Sequence, residues 1–137
     1  MSKKIYTSNY ARKGADSKSI AISVGLPEWY AGKRNKDLAP TWEIVRGIQR
    51  GQIDIAVYES VYLQLLENRN VDPYELIEEL PNNTFLLCYE KPTDFCHRHT
   101  LATWVFNNTG FQIEEWKNEK EQQEAKQHGI VEDLLDL

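Results

Sequence analysis

At 137 residues, with 41% hydrophobic and 27% charged side chains, the chain has the composition of one folded domain and not of a disordered polypeptide. A formal net charge of −5 removes the broad basic face that DNA or RNA binding draws on, so nucleic acid is not an expected partner. No stretch approaches the roughly 20 apolar residues of a membrane span, and MSKKIYTSNY lacks the apolar run of a secretory signal, so a cytoplasmic protein with no membrane partner is expected.

Lys4–Thr7 and Ile20–Val24 are short, nearly continuous apolar runs, as strands covered on both faces should be. The segment ARKGADSKS between them is too short for a crossover helix, which leaves an irregular connection or an antiparallel pair. Leu26–Pro40, rich in Pro, Gly and charge, reads as a long loop of the functional or mobile kind. Thr41 is an N-cap for a helix through Gln49, with Gly51 ending it. A second helix runs from about Asp54 to Asn68, because Ile53, Val57, Val61 and Leu65 share one face, widened by Tyr58, Tyr62 and Leu66. Asp72-Pro73 is an N-cap with proline at the first helical position, so Asp72–Leu80 is a third helix. Pro81-Asn82-Asn83 is a turn, and Thr84–Tyr89 is the clearest strand of the chain.

Lys91–Asp94 breaks that strand, and Thr93 or Asp94 caps a helix running to about Phe106. Asn107–Gly110 closes it, and Phe111–Trp116 is a last strand. From Lys117 the chain is nearly all charged or Gln and reads as a surface helix or partly ordered arm, whose terminal apolar residues dock on the body or on a partner. The organisation expected is thus a domain over 1–116 and a charged arm over 117–137. Helices alternating with apolar strands favour an α/β fold: a single-domain sandwich with a mainly parallel, Rossmann-like sheet flanked by helices. In such folds the ligand crevice lies beyond the carboxyl ends of the strands. That rule puts Thr7, Ser8 and Asn9, then Ser23, Val24 and Gly25, then Cys88–Arg98 on one rim.

The last of these segments carries the chemistry. A helix start has unpaired N–H groups and a partial positive charge, and Cys96, His97 and Arg98 fall in or near that first turn. A cysteine there can have its thiol pKa lowered from about 8.5 to between about 3.5 and 7.5, which would make Cys96 a nucleophile. Arg98 offers a planar fork for a phosphate or carboxylate. Glu90 or His97 would move protons, and Thr7, Ser8, Asn9 and Ser23 would join Arg98 in holding the ligand. The structural alternative is a core role, which suits Cys88 inside its apolar strand and competes evenly for Cys96. Cys88, Cys96, His97 and His99 are four metal-type donors within twelve positions. Their spacing matches no compact zinc pattern, a strand cysteine has little freedom to swing towards a helix, and His97 and His99 project about 200° apart. We therefore assign no metal. A C-x5-R phosphatase loop fails on spacing, since Asp94 and Ala102 stand where arginine is needed, and neither a P-loop nor a G-x-G-x-x-G fingerprint is present.

The stretch LLCYEKPTDFCHRHTLATWV resembles the hallmark segment of the bacterial and phage family catalogued as domain of unknown function 488. Members carry a strand ending in Leu-Cys-x-Glu, a short loop, and Cys-His-Arg opening a helix; the matching positions here are Cys88, Glu90, Cys96, His97 and Arg98. IYTSNYA is similar to the family's first strand and polar turn at Tyr6, Thr7 and Ser8, and ISVGLPEW resembles some members. Where many relatives carry a D-x-R pair this chain has Ser23-Val24-Gly25, so an arginine role there would pass to Arg34 or Arg46. The resemblance implies an α/β fold and a site, and no established activity.

Two functions follow. One is a small-ligand enzyme or binding protein with an anion site for a phosphorylated or nucleotide-like molecule, the Trp29-Tyr30 loop serving as a stacking lid. The alternative is a non-enzymatic phage or mobile-element protein that binds a host protein through its acidic tail and Trp29, Trp42 and Trp116. A third, single-stranded nucleic acid binding, draws on Arg12, Lys13, Lys18, Lys33, Arg34 and Lys36 but suffers from the acidic balance. Cofactor, reaction and oligomeric state are not encoded in any recognisable motif.

Overall fold

The short apolar runs become strands because elements cover both of their faces. The computed structural model describes residues 3–92 and 94–135, with side chains described through Gln127. Its sheet contains β1 (Ile5–Asn9), β2 (Ser19–Ala21), β3 (Lys33–Arg34), β4 (Thr84–Cys88) and β5 (Glu114–Glu115), in the order β3-β2-β4-β1-β5. Every pairing is parallel, and the carboxyl ends align: Asn9 stands beside Cys88 and Ala21 beside Leu87. An all-parallel sheet flanked by helices is the α/β architecture the alternation of elements calls for.

The order also resolves the short link after β1. β4 inserts between β1 and β2, so the chain must cross two strand spacings, about 10 Å, without a full crossover helix. It does so with α1 (Tyr10–Lys13), one turn capped by Asn9, whose Oδ1 accepts the Arg12 N–H at 3.0 Å. The antiparallel option is thereby excluded. β2 is shorter than Ile20–Val24, because Ser23 already turns: its hydroxyl donates to the Gly25 carbonyl at 2.6 Å.

β4 is buried along its whole length, and its alternation divides the core. Leu86 and Cys88, with Ile5, face α3 (Ile55–Asn68) and α5 (His97–Thr109), where Tyr62, Leu66, Leu101 and Val105 are closed off from solvent. Phe85 and Leu87 face a smaller cluster with Tyr10, Ala21 and Tyr30, flanked by Tyr6, Leu26 and Trp116. On α3 the buried line is Tyr58, Tyr62 and Leu66, while Val57 and Val61 are exposed, so the expected stripe is corrected by one position. One position is about 100° of helix. The rotation favours the residues with more area to bury, and the Tyr62 hydroxyl finds the Leu38 carbonyl at 2.7 Å.

The caps mostly sit where the sequence puts them. α2 (Trp42–Gln49) starts at Thr41, whose Oγ1 accepts the Ile44 N–H, and α4 (Pro73–Glu79) starts at Asp72, which accepts from Tyr74 and Glu75. α5 is the exception. Its N-cap is Cys96, with no side-chain cap bond; Asp94 lies in a bend ahead of it, and Thr93 lies outside the described residues. The helix runs to Thr109, and Gly110, at φ 77°, takes the left-handed turn that closes it. The Leu26–Pro40 loop is less irregular than expected, holding β3 and a 3-10 turn at Lys36–Leu38. Arg69 secures that turn by donating one Nη1 to the carbonyls of Lys36, Asp37 and Ala39. The charged tail forms α6 (Glu119–Leu135), tied to α1 by a bidentate Arg12–Glu121 pair at 2.6 and 3.2 Å. The docking expected of the terminal apolar residues lies outside the described side chains. No described helix is long and apolar enough to cross a membrane.

Candidate functional site

Three short segments meet beyond the carboxyl ends of β2 and β4. Cys88 is the last residue of β4, Cys96 precedes the first turn of α5, and His97 opens it. Around them a cavity of about 350 Å³ is walled by Ser23–Gly25, by Trp42, Val45 and Ile48 of α2, by Tyr58 of α3, and by Tyr89, Glu90 and Phe95. Its walls are mostly apolar and aromatic, the usual character of a small-molecule site. Trp42 is half exposed, and its ring closes against Gly25, where a Cβ would stand only 3.1 Å from it. Tyr58 and Phe95 meet edge to face at 5.1 Å.

His97 is 5% exposed and held from several sides. Nε2 lies 2.7 Å from the Ile22 carbonyl oxygen, which can only accept, so Nε2 carries the proton and donates. The lone pair of the neutral ring is then on Nδ1, 3.8 Å from the Cys96 sulfur. Tyr62 packs at an angle against the ring at 5.3 Å. The Cys88 sulfur is 3.5 Å from Nε2 and 3.8 Å from Nδ1; being nearly equidistant from both nitrogens, it stands off the ring plane.

That placement tests the metal question on geometry. The donor atoms of Cys88, Cys96 and His97 all lie within 4.8 Å of one another, so a strand cysteine does reach the helix start, and that argument against a metal is corrected. The ring geometry still opposes one. An ion on Nδ1 lies in the plane of the imidazole along its lone pair, and the Cys88 sulfur, nearer to Nε2 than to Nδ1, is well beyond the metal–sulfur bond length of about 2.3 Å from that position. His99 is elsewhere, on Glu115 at 3.1 Å.

The helix start does not activate Cys96. Burial pushes its thiol up, the neighbouring Cys88 pushes it further, and His97 opposes them only in part. The expectation of a lowered thiol pKa is therefore reversed: removal from water outweighs the helix end. Both cysteines are free thiols.

Arg98 follows His97 directly and faces a different environment. It is fully buried, with Nε on Glu115 Oε1 at 3.0 Å and Nη2 on Oε2 at 3.1 Å. Glu115 also accepts from the Thr7 hydroxyl at 2.7 Å. Burial alone would raise the Glu115 carboxyl; the bonds from His99, Arg98 and Thr7 outweigh it and bring the pKa down to about 2. Arg98 thus has two of its three nitrogens committed, while Nη1 has no partner among the described residues.

The other sequence-derived candidates divide as sharply. Ser23 lines the cavity, its oxygen held between the Tyr10 hydroxyl and the Gly25 carbonyl. Glu90 stands exposed at the rim. Thr7 serves Glu115, while Asn9 caps α1 and reaches the Glu90 carbonyl at 3.3 Å. Ser8, on the opposite face of β1, has a buried hydroxyl without a partner among the described residues. None of these three lines the cavity. Arg34 donates to the Val24 carbonyl at 2.8 Å, bracing the turn that replaces the D-x-R pair, and Arg46 reaches Trp42 O. The Trp29-Tyr30 lid is also corrected: Tyr30 is core, and Trp29 packs edge-on to Tyr10 above Gly14. Trp42 takes the wall position instead. The sequence reading does not place Trp42, Tyr58, Phe95 or Glu115 at the site; the signals for them are an aromatic on the first turn of α2 and a carboxylate pair in an otherwise apolar last strand.

Residues 4–109 match the family described as the active DUF488-N3 subclade. The chain belongs to that family, in agreement with its Leu-Cys-x-Glu and Cys-His-Arg segments. Neither the curated proteins nor the solved structures yield a match.

Proposed function

From that membership, we propose that the chain is a small-ligand enzyme or binding protein whose site is the cavity above Cys88, Cys96 and His97. The observation that carries this reading is the convergence of a polar, hydrogen-bonded floor with aromatic walls at the carboxyl edge of a parallel sheet, where such folds bind ligands. A nucleotide-like ligand would set its base among Trp42, Tyr58 and Phe95. His97 Nδ1 and the Glu90 carboxylate are the groups able to accept a proton there. The description of the matched subclade as active favours chemistry over a passive role. A phosphate on the ligand would be met by the first-turn amides of α5 and not by the Arg98 fork, which faces Glu115. Arg98 is on this reading a positioning residue that holds α5 to β5. Two free thiols suit a reducing, cytoplasmic setting.

Thermal unfolding of the full chain with adenosine, AMP and their pyrimidine counterparts tests the proposal. A ligand of the site at about 100 times its Kd stabilises the fold by about 2.7 kcal/mol, and Trp42→Ala should remove that shift while leaving the unliganded melting point nearly unchanged. No shift with any nucleoside or nucleotide would contradict it. The interaction-protein reading is favoured by Val57 and Val61, exposed one turn apart on α3. It predicts instead that Val57→Asp and Val61→Asp abolish partner capture without altering ligand shifts.

A further inference from the structure

We propose that the cavity takes a planar heteroaromatic ring that is neutral or positively charged, and that Glu90 makes it reject anionic rings. This rests on the cavity being the ligand site and names the chemical class that site accepts. Four of its wall residues are aromatic, Trp42, Tyr58, Tyr89 and Phe95, and each offers a π-face or an edge to a flat ligand. Glu90 is the one Asp, Glu, Lys or Arg among the lining residues. The cations that adjoin lining residues in sequence, Lys91, Arg46, Arg50 and Arg98, are not among the lining residues; Arg34 is held on the Val24 carbonyl at 2.8 Å, and Arg98 is paired with Glu115 at 3.0 and 3.1 Å. Cys88 and Cys96 are thiols, and the His97 Nε2 proton is taken by the Ile22 carbonyl. The first turn of α5 supplies about half a positive charge, against the full negative charge of Glu90.

Geometry adds a second argument. Gly25 has no Cβ, so the Trp42 indole lies against the turn that follows β2, while half of its surface stays open to a stacking partner. Phe95 is braced at 5.1 Å by Tyr58 across the cavity floor. A cationic ring stacked on such faces is attracted by the ring quadrupoles, and an anionic ring in the same place is repelled by them and by Glu90 alike.

One ring carried through three charges makes the test: N-methylquinolinium, quinoline and a quinoline carboxylate, titrated calorimetrically into the full chain. We expect the cation to bind about tenfold more tightly than the carboxylate at low salt, a gap of about 1.4 kcal/mol. Because Glu90 is exposed, added salt should narrow the gap, and Glu90→Gln, at a rim position that leaves the core intact, should reduce it to about threefold or less. Equal or tighter binding of the carboxylate would overturn the charge class while leaving the cavity as the site. A gap unchanged in Glu90→Gln would overturn the assignment to Glu90. If none of the three rings binds while a nucleoside still raises the melting point, the ring class is overturned and the site stands; if the nucleosides also give no shift, the site reading fails with it.

Discussion

His97 and Arg98 are consecutive residues on the same helix turn, yet one faces a cavity and the other a finished ion pair. The His97 side has apolar walls, a Cys96 thiol held neutral by burial and a single rim carboxylate, Glu90. The Arg98 side is occupied: Glu115 receives the guanidinium in two bonds and Thr7 and His99 in two more, and Nη1, without a partner among the described residues, is buried away from solvent. The difference teaches that a conspicuous arginine beside a histidine need not share its task. A charge with its partners already inside the fold stabilises the fold, and the polar groups left facing open space are the ones available to a ligand.

The largest effect should come from breaking the closed side. Arg98→Ala leaves the Glu115 carboxylate without its main partner, and urea unfolding should show a loss of about 3–5 kcal/mol. Adding Glu115→Ala to that variant should cost less than the two single changes summed, because the pair acts as a unit. A fully stable Arg98→Ala that loses only ligand binding would move Arg98 to the other side of the comparison.

Acid should act on the same network. Because the Glu115 pKa in the fold lies at about 2, below its ordinary value, this carboxylate adds stability above the unfolded-state pKa of about 4.3. That stability fades as the pH falls through the window between the two values. In Glu115→Gln the decline across this window should be shallower, as read from urea midpoints measured at falling pH. An unchanged decline would mean that other carboxylates dominate acid unfolding.

On the open side, Cys96 should alkylate far more slowly than a free thiol at pH 8, at a rate that rises with sub-denaturing urea, since burial keeps it protonated and covered. Rapid modification in the absence of denaturant would restore it as a reactive thiol. The smallest effect belongs to Gly25→Ala: stability within about 0.5 kcal/mol of wild type, with a shifted Trp42 emission and ring binding weakened a few-fold as the indole is displaced.

Much of this was legible in residues whose local physics decides the matter. Thr41 and Asp72 cap helices because their oxygens reach the first free amides, and Thr84–Cys88 is a strand because apolar residues cover both faces. What escaped was set by distant partners. Nothing near Arg98 in sequence announces that Glu115 will take its fork, and the thiol pKa of Cys96 depends on what buries it, not on the helix it begins. Val57 and Val61 fit a helical stripe as well as Tyr58 and Tyr62 do; only the sheet beneath chooses between them. The metal question turned on where one sulfur lies relative to a ring plane, which spacing does not encode.

Amide and side-chain shift mapping of the full chain with adenosine tests the central division most directly. The account predicts the largest shifts at Ser23–Gly25, the Trp42 indole and Phe95–His97, with the Arg98 Nε–H and β5 unmoved. Shifts centred on Arg98 and Glu115, with the cavity walls silent, would contradict it.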